Sequence, residues 1–244
     1  MLPVDEPPIS PELIRDRVAT VRARLRTAAE GAGRDPDGVR LVAVTKGFEL
    51  DAVRAARAAG LTVFGENRVQ EAASKVEAMP DAEWHMIGRL QSNKVRLALG
   101  LFRVIHSVES LELLQRIERI AHDEGHRPRL LLQVDTSASG GRVGFAADWF
   151  GQQASDAGSD LVQGLRELHA ASVVGLMIMA PIDETPPQRH FAALRGLRDE
   201  LQATAGLPLP ELSMGMTADA EAAVAEGATL VRIGTAIFGP RPLR

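Results

Sequence analysis

One rhythm constrains this chain more than any other feature. Eight short runs rich in Val, Ile and Leu, at 41–46, 62–67, 83–88, 104–108, 129–135, 173–179, 211–215 and 230–234, alternate with longer alanine-rich amphipathic segments. Those segments fall at about 49–59, 68–78, 90–99, 109–122, 148–171, 187–205 and 218–226. Apolar runs of strand length separated by helix-length segments predict repeated βα units around a parallel sheet. Ser10-Pro11 adds a helix start ahead of the first strand, because Ser can cap and Pro is tolerated at the first helical position. That helix is predicted to run to about Gly31, behind a loose tail at 1–9. Eight strands in 244 residues fit one closed (β/α)8 TIM barrel over 10–244 with an extra N-terminal helix. An open doubly wound sheet is the alternative, weakened because no Gly-x-Gly-x-x-Gly turn follows the first strand.

Composition narrows the function classes. With 45% hydrophobic residues and 25% charged, the chain can bury a full core, which excludes disorder and a disulfide-stapled mini-fold. The formal charge is −4 and no long basic run occurs, so nucleic acid is not an expected partner. No apolar stretch approaches the roughly 20 residues of a membrane helix, and the acidic, proline-rich start is unlike a signal peptide; a cytoplasmic protein is expected. Zero cysteines remove thiolate chemistry and Cys-based zinc sites. Only three of the 28 basic residues are lysines, Lys46, Lys75 and Lys94. Arg stays protonated, so any chemistry of a neutral primary side-chain amine has just these three candidates.

In a barrel the chemistry collects at the C-terminal ends of the strands. The polar residues ending the predicted strands are Lys46, Asn67, His85 with Gly88, Ser107, Asp135, Met179, Ser213, and Arg232 with Gly234. Period two places Val42, Val44 and Lys46 on one face of the first strand. If that face lines the barrel, Lys46 tops the pore, where desolvation lowers its pKa and equips it to form a Schiff base. A lysine at a strand end can equally run out into water. On the last strand Arg232 and Gly234 share a face, and Gly234-Thr235 offers backbone N–H groups followed by a hydroxyl. Turns after strands seven and eight are where many barrels hold a phosphate, and Ser213-Met-Gly-Met-Thr217 is placed to complete that cradle. His122-Asp-Glu-Gly-His126 imitates a zinc motif, but Gly125 reads as a helix stop and no metal is expected. Met177 and Met179 read as barrel filling, with Met179 at the pore end within reach of a ligand.

The runs Ala43-Val-Thr-Lys46, Phe64-Gly-Glu-Asn67-Arg-Val-Gln-Glu71, Trp84-His-Met-Ile-Gly88, Leu90-Gln-Ser-Asn-Lys94, Gly175-Leu-Met-Ile-Met-Ala-Pro181, Leu212-Ser-Met-Gly-Met216 and Val231-Arg-Ile-Gly-Thr-Ala-Ile-Phe-Gly239, in this order, resemble the pyridoxal phosphate homeostasis protein family. The resemblance implies a barrel like the N-terminal domain of alanine racemase, with pyridoxal 5′-phosphate (PLP) held as a Schiff base on Lys46. It further implies that Asn67 and His85 line the ring pocket, that Arg232 faces the pyridine nitrogen, and that Ser213, Gly234 and Thr235 hold the phosphate with Thr217 beside them. An arginine at the pyridine nitrogen disfavours its protonation and makes the ring a weaker electron sink. Arg68 stands where the family commonly has Tyr, Arg89 where Pro is common, and the 137–144 loop lacks the lysine many relatives carry.

Two functions compete on this reading: a factor that stores or delivers PLP to apo-enzymes without turnover, or a small amino-acid racemase. Racemisation needs an acid/base on each face of the reacting carbon, and alanine racemase uses a tyrosine for one of them. The chain contains no tyrosine and ends five residues after Gly239, leaving no room for a second domain, so the carrier is expected. His85 remains a candidate substitute base. A class I aldolase would need a lysine on strand six, where none occurs. The outward helix faces are mostly polar, which leads to the expectation of a monomer.

Overall fold

The apolar runs all become strands, and the strands close on one another. A computed structural model describes residues 10–137, 143–181 and 185–241; the predicted tail at 1–9 and most of the 137–144 loop lie outside the described residues. In chain order the elements are α1 (Pro11–Gly31), β1 (Arg40–Val44), α2 (Leu50–Ala58), β2 (Val63–Glu66), α3 (Val69–Ala78), β3 (Glu83–Met86), α4 (Val95–Leu101), β4 (Val104–Val108), α5 (Leu111–Glu124) and β5 (Arg129–Asp135). They continue with β6 (Phe145–Ala146), α6 (Ala147–Ala154), α7 (Asp160–Arg166), β7 (Ser172–Met177), α8 (Pro187–Ala205), β8 (Glu211–Ser213), α9 (Ala220–Ala225), β9 (Leu230–Ile233) and α10 (Thr235–Phe238). The pairing runs β4-β3-β2-β1-β9-β8-β7-β5, and a β4–β5 pairing closes the ring; every ladder is parallel. This is an eight-stranded barrel with helices between its strands.

Period two decides what fills it. Val42, Val63, Val104, Leu131, Met177 and Leu230 form a buried cluster of their own inside the ring, while Ala43, Phe64, Trp84 and Ile105 belong to the larger core between strands and helices. The N-terminal mouth is plugged by charge. Arg40, Glu83, Arg129 and Glu211, contributed by alternate strands, form ion pairs of 2.8–3.9 Å. α1 carries its predicted cap, with the Ser10 hydroxyl accepting from the Leu13 N–H at 3.2 Å. Its buried stripe of Ile14, Val18, Val21, Leu25 and Ala29 packs against α2, α9 and α10. Because α10 is a single turn, α1 covers the flank that a full helix after β9 would otherwise take.

Two differences from the sequence reading have local causes. The segment read as one helix over 148–171 is two, α6 and α7. At their junction Asp156 accepts from the Gly158 N–H at 2.8 Å, and the Ser159 hydroxyl caps α7 by accepting from Val162. The ladders also end earlier than the apolar runs suggest, at Val44, Glu66, Met86, Met177, Ser213 and Ile233. Lys46, Asn67, Gly88, Met179, Gly215 and Gly234 therefore stand on the first loop residues above the barrel.

Candidate functional site

Lys46 sits two residues above β1, half-buried, on the face that Val42 and Val44 direct into the barrel. Its ammonium forms no hydrogen bond or ion pair with any described residue. Burial holds it below the ordinary lysine value; the Arg241 and Arg232 guanidiniums push the same way, and Glu66 and Glu71 oppose them.

The segment carrying Lys46 is pinned from behind. Lys75, on α3, donates to the Thr45 carbonyl at 2.9 Å and pairs with Glu66 at 2.7 Å and Glu71 at 3.5 Å. The Thr45 hydroxyl donates to the same Glu66 oxygen at 2.6 Å, and the Gly47 N–H donates to Glu71 at 2.5 Å. Every peptide unit flanking Lys46 thus has a side-chain partner. Glu66 is fully buried, and its Oε2 has no hydrogen-bond partner among the described residues; burial pushes its carboxyl up, against the pull of Lys75.

Arg232 lies below Lys46, buried inside the barrel. Its Nη1 donates to Ser213 Oγ at 2.5 Å and its Nη2 to the Ile178 carbonyl at 2.7 Å. Burial draws the guanidinium down to about 10, with Asp219 opposing, so it is cationic at neutral pH. Ser213 is fully buried with its hydroxyl shared between Arg232 and His106, which places it under the guanidinium. His85 is also fully buried, lower in the barrel, with its ring nitrogens bonded to Glu83 and His106.

The other anticipated residues surround the mouth. Asn67 is half-buried above β2, and Gly88 lets it approach: a Cβ on Gly88 would fall 2.4 Å from the Asn67 carbonyl oxygen. Met179 and Thr235 are exposed, and Gly234 and Thr217 are partly so. Gly234 abuts Val44, 3.3 Å from where its own Cβ would stand, and opens α10, whose first N–H groups lack intrahelical partners. Thr217 also borders a small cleft against α1 that includes Arg24 and Ala236. Between His122 and His126, Gly125 closes α5 with φ 73°, as the sequence suggested, and among the described residues no cluster of three or more His, Asp or Glu is placed to hold a metal.

Comparison with known proteins bears on this constellation. The family model of the alanine racemase N-terminal domain matches residues 17–242. The pyridoxal phosphate homeostasis protein of Pseudomonas aeruginosa is 43% identical over 233 residues, 93% of this chain and 96% of that one. Its counterpart in Aquifex aeolicus is 38% identical over 230 residues, 93% of this chain and 97% of that one. This chain belongs to the pyridoxal phosphate homeostasis protein family. Among solved structures, PipY of Synechococcus elongatus with PLP bound is 41% identical with a TM-score of 0.80, covering 93% of this chain and all of that one. An alanine racemase of Clostridium difficile shares the fold alone, at 16% identity and a TM-score of 0.71, over 95% of this chain and 58% of that one.

Four residues around this candidate site were given no place in it by the sequence reading. His106 shares a face with Val104, so period two along β4 could have placed it inside the barrel. Lys75 lies three and six residues after the buried Ala72 and Val69, on the inward face of α3. Glu66 looked like part of a motif rather than a buried partner. Arg241, whose side chain packs over Gly47 with Cδ 3.4 Å from a Cβ position there, had no local signal at all.

Proposed function

We propose that this chain binds PLP at the C-terminal mouth of the barrel, held covalently through the Lys46 amine, and serves PLP homeostasis by carrying the cofactor without turning over a substrate. The observation that carries this is the setting of Lys46: half-buried, unpaired among the described residues, held below its ordinary pKa, and standing over a buried arginine. An amine freed from ion pairing is what capture of an aldehyde requires. The donor set fits the group: a cation for the ring end at Arg232, and at the other end the side-chain-free Gly234, the exposed Thr235 hydroxyl and the first N–H groups of α10. Bound PLP supplies an aldehyde that captures amines and a ring that withdraws electrons.

Within this reading Arg232 faces the pyridine nitrogen and keeps it unprotonated by like-charge repulsion, which weakens the electron sink a racemase would need. Asn67 and Met179 flank the ring, and Gly234 and Thr235 take the phosphate with Thr217 beside them; Ser213, expected at the phosphate, and His85, expected at the ring, are engaged by buried partners and act instead from below through Arg232. The names and the PLP-bound structure of close relatives support the cofactor and the homeostatic role. Against a racemase stand the absence of tyrosine and the engagement of both His85 nitrogens in the core. Delivery to apo-enzymes in the cytoplasm by a monomer completes the proposal.

The test is the visible spectrum of the protein with added PLP before and after borohydride, followed by peptide mass mapping. A yellow band removed by reduction, with the pyridoxyl adduct on Lys46 alone, is expected. Lys46→Ala should lose the band while its circular dichroism stays native, since a half-exposed lysine without partners contributes little to packing. A colourless protein, or an adduct on Lys75 or Lys94, would sink the reading.

A further inference from the structure

Arg232 is a buried cation without a contacting carboxylate among the described residues: its two bonds go to a hydroxyl and a backbone carbonyl, and Asp219 acts only from a distance. A buried charge without a partner is expensive. From Ser213 a continuous chain of hydrogen bonds runs down through the barrel. His106 Nδ1 is 2.8 Å from Ser213 Oγ, His106 Nε2 is 2.9 Å from His85 Nδ1, and His85 Nε2 is 2.8 Å from Glu83 Oε1. Ser213, His106 and His85 are all fully buried. The chain starts under Lys46 and ends at the opposite mouth, among Arg40, Arg129 and Glu211.

With both rings neutral, its ends fix the direction of every proton in it. Arginine is only a donor, so Ser213 Oγ accepts from Arg232 and its one proton goes to His106 Nδ1. His106 then carries its proton on Nε2 and donates to His85 Nδ1; His85 carries its proton on Nε2 and donates to Glu83, an acceptor only. Each group is satisfied once as donor and once as acceptor with both rings neutral, and all the bond dipoles align between Arg232 and Glu83. Aligned hydrogen bonds in a dry core polarise one another.

We propose that Glu83, His85 and His106 are positioning residues for the ligand site: through Ser213 they orient Arg232 and bring it a counter-charge from the far mouth of the barrel. The proposal deepens the reading that Arg232 faces the ring of bound PLP and rests on it for its functional half. The structure also supplies a control. Glu211 pairs with the same two arginines as Glu83, at 2.9 Å and 2.8 Å, but touches neither histidine. A merely structural role for the charged layer would make Glu211 the more important of the two.

The experiment measures PLP dissociation constants for the wild type, Glu83→Gln, Glu211→Gln, Ser213→Ala and the Glu83→Gln/Ser213→Ala double variant, together with histidine ¹⁵N resonances of the unliganded wild type from pH 5 to 8. Glu83→Gln is expected to weaken binding by about fivefold or more, the lower range of coupling between distant sites. Glu211→Gln should stay within about twofold, and Glu83→Gln should add nothing once Ser213 is Ala, because the chain is already cut. Both histidines should be neutral with the proton on Nε2. Equal losses in the two glutamate variants, additive losses in the double variant, or a His106 that is doubly protonated or protonated on Nδ1 would overturn the proposal. If the wild type binds no PLP, the functional reading fails, while the resonances still judge the chain itself.

Discussion

Removing Lys75 tests how the segment under Lys46 is held. In Lys75→Met the apolar stem is kept and the ammonium lost, and with it the bonds to Thr45 and Glu66 at 2.9 Å and 2.7 Å. Glu66, with no solvent exposure and one oxygen already without a partner, then keeps only the Thr45 hydroxyl. Breaking a buried pair from one side typically costs about 3–5 kcal/mol, since the remaining charge stays buried. The variant's Glu66 pKa should rise further than in the wild type, where burial already raises it. A carboxyl whose folded pKa lies above its unfolded value is destabilising once pH exceeds the unfolded value, and the penalty grows until pH passes the folded one. The deficit of Lys75→Met is therefore greatest at pH 8 and shrinks towards pH 5 by up to about 1.4 kcal/mol per pH unit within that window. Adding Glu66→Gln should restore much of the loss, because no charge is then stranded. Urea unfolding followed by circular dichroism at both pH values, with the m-value held constant, gives the numbers. A loss below about 1 kcal/mol at pH 8, or an equal loss at both pH values, would refute a compensated buried pair.

Two further outcomes are expected, besides the loss of the visible band in Lys46→Ala. Gly88→Ala places a Cβ against the Asn67 backbone, 2.4 Å from its oxygen and 2.6 Å from its Cα, so thermal unfolding should show a loss of at least about 1–3 kcal/mol and PLP affinity should fall with it; a native melting curve would contradict the contact. The hydrogen bond from His85, with Arg40 and Arg129 alongside and burial opposing, holds the Glu83 carboxyl at about 2 against an ordinary 4.5, so its contribution to stability is complete above pH 4.5 and lost as pH falls towards 2. The full displacement corresponds to about 3 kcal/mol, but with 32% of the side chain in solvent screening leaves about 1 kcal/mol. Glu83→Gln should flatten the acid limb of the stability curve by that amount, and an unaltered limb between pH 5 and 2 would show that Glu83 is not held down by folding.

The barrel and its extra N-terminal helix were legible in the chain, which also singled out Lys46 as a candidate amine. All three rest on short-range order. Alternation along each strand, helix-length spacing between strands and the Ser10-Pro11 start are written in neighbouring residues, and the scarcity of lysine left few amines to consider. The surroundings of the amine were decided only by closure of the ring. Lys75 meets Thr45 across 30 positions, His106 meets Ser213 across 107, and Arg241 meets Gly47 from the far end of the chain. Period two says which face a strand residue occupies, but its partner depends on the register between strands and on which strands stand opposite across the barrel. His85 shows the difference: the motif marked it as important, and the tertiary structure put it beneath the mouth, because its strand places it level with Val104 of β4 and within reach of His106. The sequence thus singled out a candidate amine, and the closed barrel supplied the burial and neighbouring charges that hold it below its ordinary pKa.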